Sequence, residues 1–236
     1  MIEIKDLKKS FGKKEVLHGI NLEVNDGEIF GFIGHNGAGK STTIRSMVGI
    51  LDFEEGEILV FGKSIQEQPI EVKKEIAYIP DNPDLYSHLT GEKYLNFVAD
   101  IFEVSSEKRT QLIQKYATDF ELIENLGDLI SSYSHGMRQK LALISALIHE
   151  PKVLILDEPF VGLDPKASHT LKQIMRDLCE QKGIVFFSTH VLEVVEKLCD
   201  RVAIIQEGNI VVDGKTEEVI SQKSLEQVFL ELIDHE

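Results

Sequence analysis

The chain has 236 residues, 42% hydrophobic and 28% charged, with a formal net charge of −15, which supports one domain, or a core with a subdomain, around a substantial interior. The acid excess argues against a duplex-coating nucleic-acid binder, which needs a field of Lys and Arg. No apolar run approaches the roughly 18–20 residues that span a bilayer, and Met1-Ile2-Glu3-Ile4-Lys5 shows no signal-peptide pattern, so a cytosolic chain is expected.

Ile2 and Ile4 alternate with Glu3 and Lys5, which predicts a half-buried strand over 2–7. Ile20, Leu22 and Val24 alternate likewise and stop at the turn signal Asp26-Gly27. Phe11 lies between these segments. It reads either as a core or edge aromatic or as a flat face on which an adenine stacks. Residues 29–33 form a short apolar run, the pattern of a buried strand, and residues 43–50 carry apolar side chains at helical spacing. Between them stands Gly34-His35-Asn36-Gly37-Ala38-Gly39-Lys40-Ser41-Thr42, which fits G-x-x-x-x-G-K-[ST]. Strand, glycine loop and helix together make a phosphate cradle. The glycines let successive N–H groups converge on an anion, with the positive end of the helix behind them. Lys40 is expected to reach the β/γ-phosphates, and the Ser41 hydroxyl to take one Mg²⁺ position. A glycine turn that merely precedes a helix is the plainer alternative.

Residues 57–62 and 76–80 read as further strands, the second closed by Pro80-Asp81-Asn82-Pro83. From Thr90 to about Ile130 the spacing turns helical, first through Tyr94, Leu95, Val98, Ile101 and Phe102, then through Leu112, Ile113 and Tyr116. A helical block inserted between β-containing parts is expected. Ser134 opens another helix, which Pro151 ends. Residues 153–156 are almost continuously apolar, the mark of a parallel strand buried on both faces, and run into Asp157-Glu158-Pro159. Asp164-Pro165 reads as an N-cap followed by proline at the first helical position. Residues 184–187 form a second buried strand, which runs into Ser188-Thr189-His190. A hairpin follows (202–205 and 210–212 about Glu207-Gly208-Asn209), then short helices, the last with Leu225, Val228, Phe229 and Leu232 on one side. The cysteines Cys179 and Cys199 form neither a disulfide framework nor a metal spacing. Both fall in helix-like segments and read as packing residues.

Buried strands alternating with helices around a glycine loop predict an α/β sheet covered on both faces. Ligands of such sheets gather at the carboxyl ends of the strands, and three strands here end in chemistry. The first delivers the glycine loop. The second delivers Asp157 and Glu158, which alone would read equally as a helix cap and a solvated charge. Beside a phosphate cradle, Asp157 is suited to hold Mg²⁺ through its water shell and Glu158 to polarise an attacking water. The third delivers His190, placed to bond a γ-phosphate oxygen.

With these residues in order, the whole chain resembles the ATP-binding subunits of ABC transporters. Gly34 through Thr42 is similar to the family's Walker A, and residues 154–158 to its Walker B with the following glutamate. Gly162-Leu163-Asp164 matches its D-loop and His190 its switch histidine. Phe11 falls where the family has an adenine-stacking aromatic. Tyr133-Ser134-His135-Gly136-Met137 falls at the Leu-Ser-Gly-Gly-Gln signature, keeping Ser134 and Gly136 but replacing the first glycine with His135 and the glutamine with Met137. Asp81 stands where the family usually has a Mg²⁺-contacting glutamine.

The resemblance implies an α/β fold, a P-loop NTPase core with an antiparallel β subdomain and an inserted helical subdomain. A single domain over 1–236 is expected, with 1–80 and 150–236 as core and 81–149 as the helical part. ATP and Mg²⁺ are the implied cofactors. Glu158 and His190 are implied for catalysis, and Phe11, Gly34 through Thr42, Ser134 and Gly136 for nucleotide binding. Ser41, Asp157 and Asp81 are implied for the metal. The implied partners are a polytopic membrane subunit on a separate chain and a second ATPase subunit, homo- or heterodimeric, meeting head to tail so that each ATP lies between one P-loop and the other Ser134. No nucleic acid is expected. The variant signature and the C-terminal segment 224–230 point to an exporter-like branch, peripheral on the inner face of the cell membrane. Leu85 and Tyr86 would meet the membrane subunit or simply cap the helical part. The competing expectations are a soluble ABC-type ATPase of translation or DNA repair, and a nucleotide sensor that does not hydrolyse.

Overall fold

A computed structural model of the protein describes residues 1–220 and 223–234. The chain opens with β1 (Ile2–Phe11), β2 (Lys14–Val24) and β3 (Ile29–Ile33), then α1 (Lys40–Met47). Next come β4 (Glu55–Val60), β5 (Lys63–Ser64), α2 (Pro69–Glu75) and β6 (Ile76–Ile79). A helical stretch follows, α3 (Gly91–Ile101), α4 (Ser106–Asp119), two 3₁₀ turns, Ile123–Asn125 and Ile130–Ser132, and α5 (His135–Leu147). The chain then alternates β7 (Val153–Asp157), α6 (Pro165–Glu180), β8 (Ile184–Ser188) and α7 (Leu192–Leu198). It closes with β9 (Arg201–Gln206), β10 (Asn209–Lys215), α8 (Thr216–Val219) and α9 (Leu225–Asp234). The Leu232 side chain, assigned from sequence to the apolar side of the last helix, lies outside the described residues.

The strands form two sheets. A four-stranded antiparallel sheet runs β2-β1-β4-β5, and a six-stranded sheet runs β10-β9-β3-β8-β7-β6. In the larger sheet β3 pairs in parallel with both β8 and β9, and β7 with both β6 and β8. Only β10 enters antiparallel, as the second arm of a hairpin. The apolar runs of β3, β7 and β8 follow from two cores. Phe30, Phe32, Val153, Ile155 and Phe186 join the interior of the antiparallel sheet and α1. Their neighbours Leu154, Leu156, Val185 and Phe187 join the helices of the other face. A strand clothed on both faces has no polar side to show, so its sequence loses the alternation of an exposed strand.

Two elements depart from the sequence pattern. β1 runs past residue 7 to Phe11 without an apolar alternation, because its polar residues are paired across the sheet: Lys8 with Glu55 and the buried Lys9 with Glu54, each at 2.7 Å. α2 carries a single buried residue, Val72, and so leaves almost no apolar period to read. Cys179 lies on α6, but Cys199 sits at the extended C-cap of α7 rather than in the helix. Both thiols are buried and unbridged. Burial pushes Cys179 up to about 12 and raises Cys199 well above its ordinary value.

Candidate functional site

β3, β8 and β7 are neighbours in the larger sheet, so their carboxyl ends open side by side. β3 feeds the glycine loop. Gly37 and Gly39 adopt φ of +86° and +115°, conformations that a side chain would strain, and nothing lies within 4 Å of where a Gly37 Cβ would stand. Gly39 precedes the first residue of α1, so the loop's N–H groups and the helix N-terminus share one concavity. The Lys40 ammonium donates to the carbonyl oxygens of Gly34 at 2.6 Å and His35 at 3.1 Å. Burial lowers its pKa, and the nearby carboxylates of Glu158 and Asp157 oppose that.

β7 ends at Asp157, 4% exposed and doubly bonded. Its Oδ2 accepts the Ser41 hydroxyl at 2.9 Å, and its Oδ1 accepts the Ser188 hydroxyl at 2.5 Å. Glu158 follows in the left-handed region, at φ +51°. A non-glycine residue held there costs about 1–3 kcal/mol and marks a constrained site. The surroundings hold it: its N–H donates to the Ser188 carbonyl at 3.1 Å. The turned backbone aims the side chain back across the strand ends, where Oε2 stands 2.9 Å from Nδ1 of His190. The His190 side chain is largely exposed and that of Glu158 largely covered.

Two adjoining cavities lie over these strand ends. The first, about 310 Å³, is lined by Phe11 and Val16 from the antiparallel sheet and by Asn36, Gly37, Gly39, Lys40, Ser41 and Thr42 from the glycine loop. Asp81, Asp157 and Glu158 close it. The second, about 480 Å³, shares Asn36, Asp81 and Glu158 and adds Gly34, His35, Val161, His190, Leu192 and Phe229. Phe11 is about half exposed at the mouth of the first, with the Lys9 ammonium 5.4 Å from its ring centroid. Ala38 is buried, outside both linings.

Ser134 and Gly136 line neither cavity. Ser134 caps α5, its hydroxyl accepting the Met137 N–H at 3.3 Å. α5 is bound instead to the segment after Glu158: Lys140 pairs with Asp164 at 2.6 Å. Asp164 in turn caps α6 by accepting the Ala167 N–H at 2.8 Å. The Lys140 ammonium and the Ala167 N–H hold the Asp164 carboxyl below its usual range.

Oxygen donors from Ser41, Asp157 and Asp81 on one cavity wall suit a hard cation. Ser41 and Asp157 already lie within hydrogen-bond distance of each other, so an ion between them needs little rearrangement of either. The residues present fit Mg²⁺.

Sequence reasoning missed Ser188, Leu192 and Phe229. Ser188 had a signal, since it ends a buried strand two residues before His190, and the register sets it directly opposite Asp157. Phe229 had none: it belongs to the last helix and reaches the cavity through the packing of α9 near α7, where the Glu196 carboxylate accepts the Leu225 N–H at 2.6 Å. Leu85 and Tyr86 divide the two roles weighed for them. Leu85 packs against the core, whereas Tyr86 is 49% exposed, with the Phe97 ring 5.5 Å away.

Comparisons with known proteins identify the family. The family described as ABC transporter matches residues 17–161. An uncharacterized ABC transporter ATP-binding protein of Bacillus subtilis (strain 168), YhcH, is 38% identical over 89% of this chain and 68% of its own. The bacitracin transport ATP-binding protein BcrA of Bacillus licheniformis is 35% identical over 89% of this chain and 68% of its own. A solved ATP-binding subunit of an ABC transporter superposes with a TM-score of 0.94 at 32% identity, over 99% of both chains. The family model, the relatives and the fold agree, and the chain belongs to the ABC transporter family of ATP-binding proteins.

Proposed function

We propose that the chain binds and hydrolyses ATP to power a transporter whose membrane-spanning part is a separate polypeptide, most simply an exporter. The observation that carries this reading is the Glu158–His190 contact of 2.9 Å, beside a cavity that Lys40, Ser41 and Asp157 also line. The whole chain acts as one ATPase domain, with 81–149 as its helical part. Adenine stacks on Phe11 at the cavity mouth. The glycine-loop N–H groups and Lys40 take the phosphates, Lys40 exchanging its bonds to the Gly34 and His35 carbonyls for phosphate oxygens. Ser41 and Asp157, with Asp81 facing them, hold Mg²⁺, which when bound neutralises charge on the β- and γ-phosphates. Glu158 accepts a proton from the attacking water. His190 keeps that carboxylate oriented and donates toward the γ-phosphate as charge grows there.

Ser134 and Gly136 have no phosphate of their own to meet, since they line neither cavity. They serve ATP bound to a second subunit placed head to tail, where the N-terminus of α5 offers its N–H groups. Exposed Tyr86 lies against Phe97, and Ile101 (60% exposed) follows one turn along α3, which makes an apolar face on the helical part. That face takes a cytoplasmic helix of the membrane subunit and keeps the ATPase on the inner face of the membrane. No helix among the described residues is long and apolar enough to cross a membrane. A soluble role in translation or DNA repair is not favoured, because the relatives carry transporter names.

The test is mild-detergent affinity purification of the tagged protein from its own host, with all co-purifying chains identified. A polytopic membrane protein in near-equal amount is the expected result. Ribosomes or nucleic-acid machinery with no membrane partner would overturn the reading.

A further inference from the structure

The second strand-end cavity is lined in two unlike ways. Asn36, Asp81 and Glu158 give it polar groups, whereas Val161, Leu192 and Phe229 give it apolar ones, and His190 belongs to the same lining. The apolar three come from separate parts of the chain. Val161 lies in the loop after β7, Leu192 is the first residue of α7, and Phe229 sits on α9.

His190 is held mainly by Glu158. Its Nδ1 stands 2.9 Å from Oε2 of Glu158, and its backbone N–H donates to the same oxygen at 3.4 Å. The side chain is otherwise 64% exposed, so packing restrains it little. α7 begins two residues later, with only seven residues and no side-chain hydrogen bond at its N-cap, Val191. So short a helix has little stability of its own, and its place is set by what packs on it. α9 does so. Leu225 at its start is fully buried, and the Leu225 N–H donates to the Glu196 carboxylate of α7 at 2.6 Å. A reciprocal cap closes the same end: the Ser224 hydroxyl accepts the Gln227 N–H at 3.3 Å, and the Gln227 side-chain oxygen accepts the Ser224 N–H at 3.1 Å. Val228 and Phe229 both pack on the core from this helix, but of the two only Phe229 reaches the cavity.

We propose that Phe229 is a positioning residue for hydrolysis, the part of the C-terminal helix that keeps the His190 imidazole against Glu158. The phenyl ring takes up space into which the exposed imidazole could otherwise turn. It also keeps water from that side of the pair, and a drier setting strengthens the carboxylate–imidazole interaction. Nucleotide binding is not its task, since it is absent from the lining of the first cavity, where Phe11 and Lys40 lie. This rests on the roles proposed above for Glu158 and His190.

The test is ATP hydrolysis by the whole chain, with kcat and KM measured separately and melting temperatures showing that each variant is folded. Phe229→Ala is expected to lower kcat about tenfold, a part of the roughly 10²–10⁴ that general acid–base groups contribute, and to leave KM unchanged. Phe229→Leu, which refills the wall, is expected to recover most of the loss. If Phe229→Ala does not fold, Phe229→Gln, which keeps bulk but makes the wall polar, takes its place with the same expected fall in kcat. Val228→Ala trims the same helix away from the cavity and is expected to spare kcat whatever it does to melting. In a His190→Ala background, Phe229→Ala is expected to cost nothing further, because residues that act as one unit are not additive. An unchanged kcat in Phe229→Ala, an equal loss in Val228→Ala, or effects of Phe229→Ala and His190→Ala that multiply would each overturn the assignment. Glu158→Gln is assayed alongside. Near wild-type turnover there would bring down the hydrolysis reading and this inference with it. An inactive Glu158→Gln beside a fully active Phe229→Ala removes the role of Phe229 alone.

Discussion

The strand-end cavity and the N-terminus of α5, both proposed to meet phosphate, are built in opposite ways. Around the cavity, Asp157 is 4% exposed and bonded to both Ser41 and Ser188, Lys40 is 8% exposed and held by two carbonyls, and Glu158 touches His190. Each of these side chains has a partner on its own chain. At α5, Ser134 is exposed and only caps its own helix, and neither Ser134 nor Gly136 lines the strand-end cavities. One half of the proposed site is thus pre-organised by burial, whereas the other is an exposed helix N-terminus with nothing yet on it but its own cap. The proposed pairing of two chains joins one half to the other.

The largest expected effect breaks the first half at its chemistry. Glu158→Gln keeps the shape of the side chain but cannot take a proton, so kcat is expected to fall by about 10²–10⁴. ATP binding, measured by fluorescence titration, should change far less, because the glycine loop and Lys40 are untouched. A glutamine variant with near wild-type turnover would remove Glu158 from the mechanism.

Next comes the mouth of the cavity. Phe11→Ala removes a half-exposed ring and is expected to weaken ATP binding by about 1–3 kcal/mol, roughly five- to 150-fold. The same titration with inorganic triphosphate should show no change. An equal loss for both ligands would mean that Phe11 shapes the loop rather than stacking on adenine.

The smallest effect concerns how the helical part is fastened to the sheet. The His149 ring lies 3.8 Å from that of Phe102, nearly parallel, and Nε2 donates to the Ile76 carbonyl of β6 at 3.2 Å, while Nδ1 is buried without a hydrogen-bond partner. Burial lowers the His149 pKa, the Ile76 bond opposing it. The folded state thus disfavours the charged ring. Below the unfolded value of about 6.5 the unfolded chain binds more protons, so this contribution to stability is complete above that pH and is lost as the pH falls. His149→Phe should flatten that acid-side fall in melting temperature. An identical pH profile in both proteins would contradict it.

How much of this was legible depends on whether a feature is contiguous. The glycine loop, the acidic end of β7 and the Asp164-Pro165 cap are local patterns, and β3, β7 and β8 announce themselves by runs that only double burial explains. The extension of β1 was not legible, because Lys8 and Lys9 are fixed by Glu54 and Glu55, more than forty residues away. α2 hid behind one buried valine. Ser188 beside Asp157, Phe229 in the second cavity and His135 on Gly162 are products of register and packing, and no window along the chain contains both partners. His135 was visible only as a departure from a pattern. What it touches needed the fold.

Each ATP is proposed to be held by the cavity of one chain and Ser134 of another. Light scattering of the Glu158→Gln protein, with and without ATP, tests it most directly when repeated with Ser134→Asp in the same background. Aspartate still caps α5 but sets a negative charge where the phosphate is due. The mass is expected to double on adding ATP to Glu158→Gln and to stay that of a monomer once Ser134→Asp is present. A mass indifferent to ATP, or a dimer indifferent to Ser134→Asp, would contradict it.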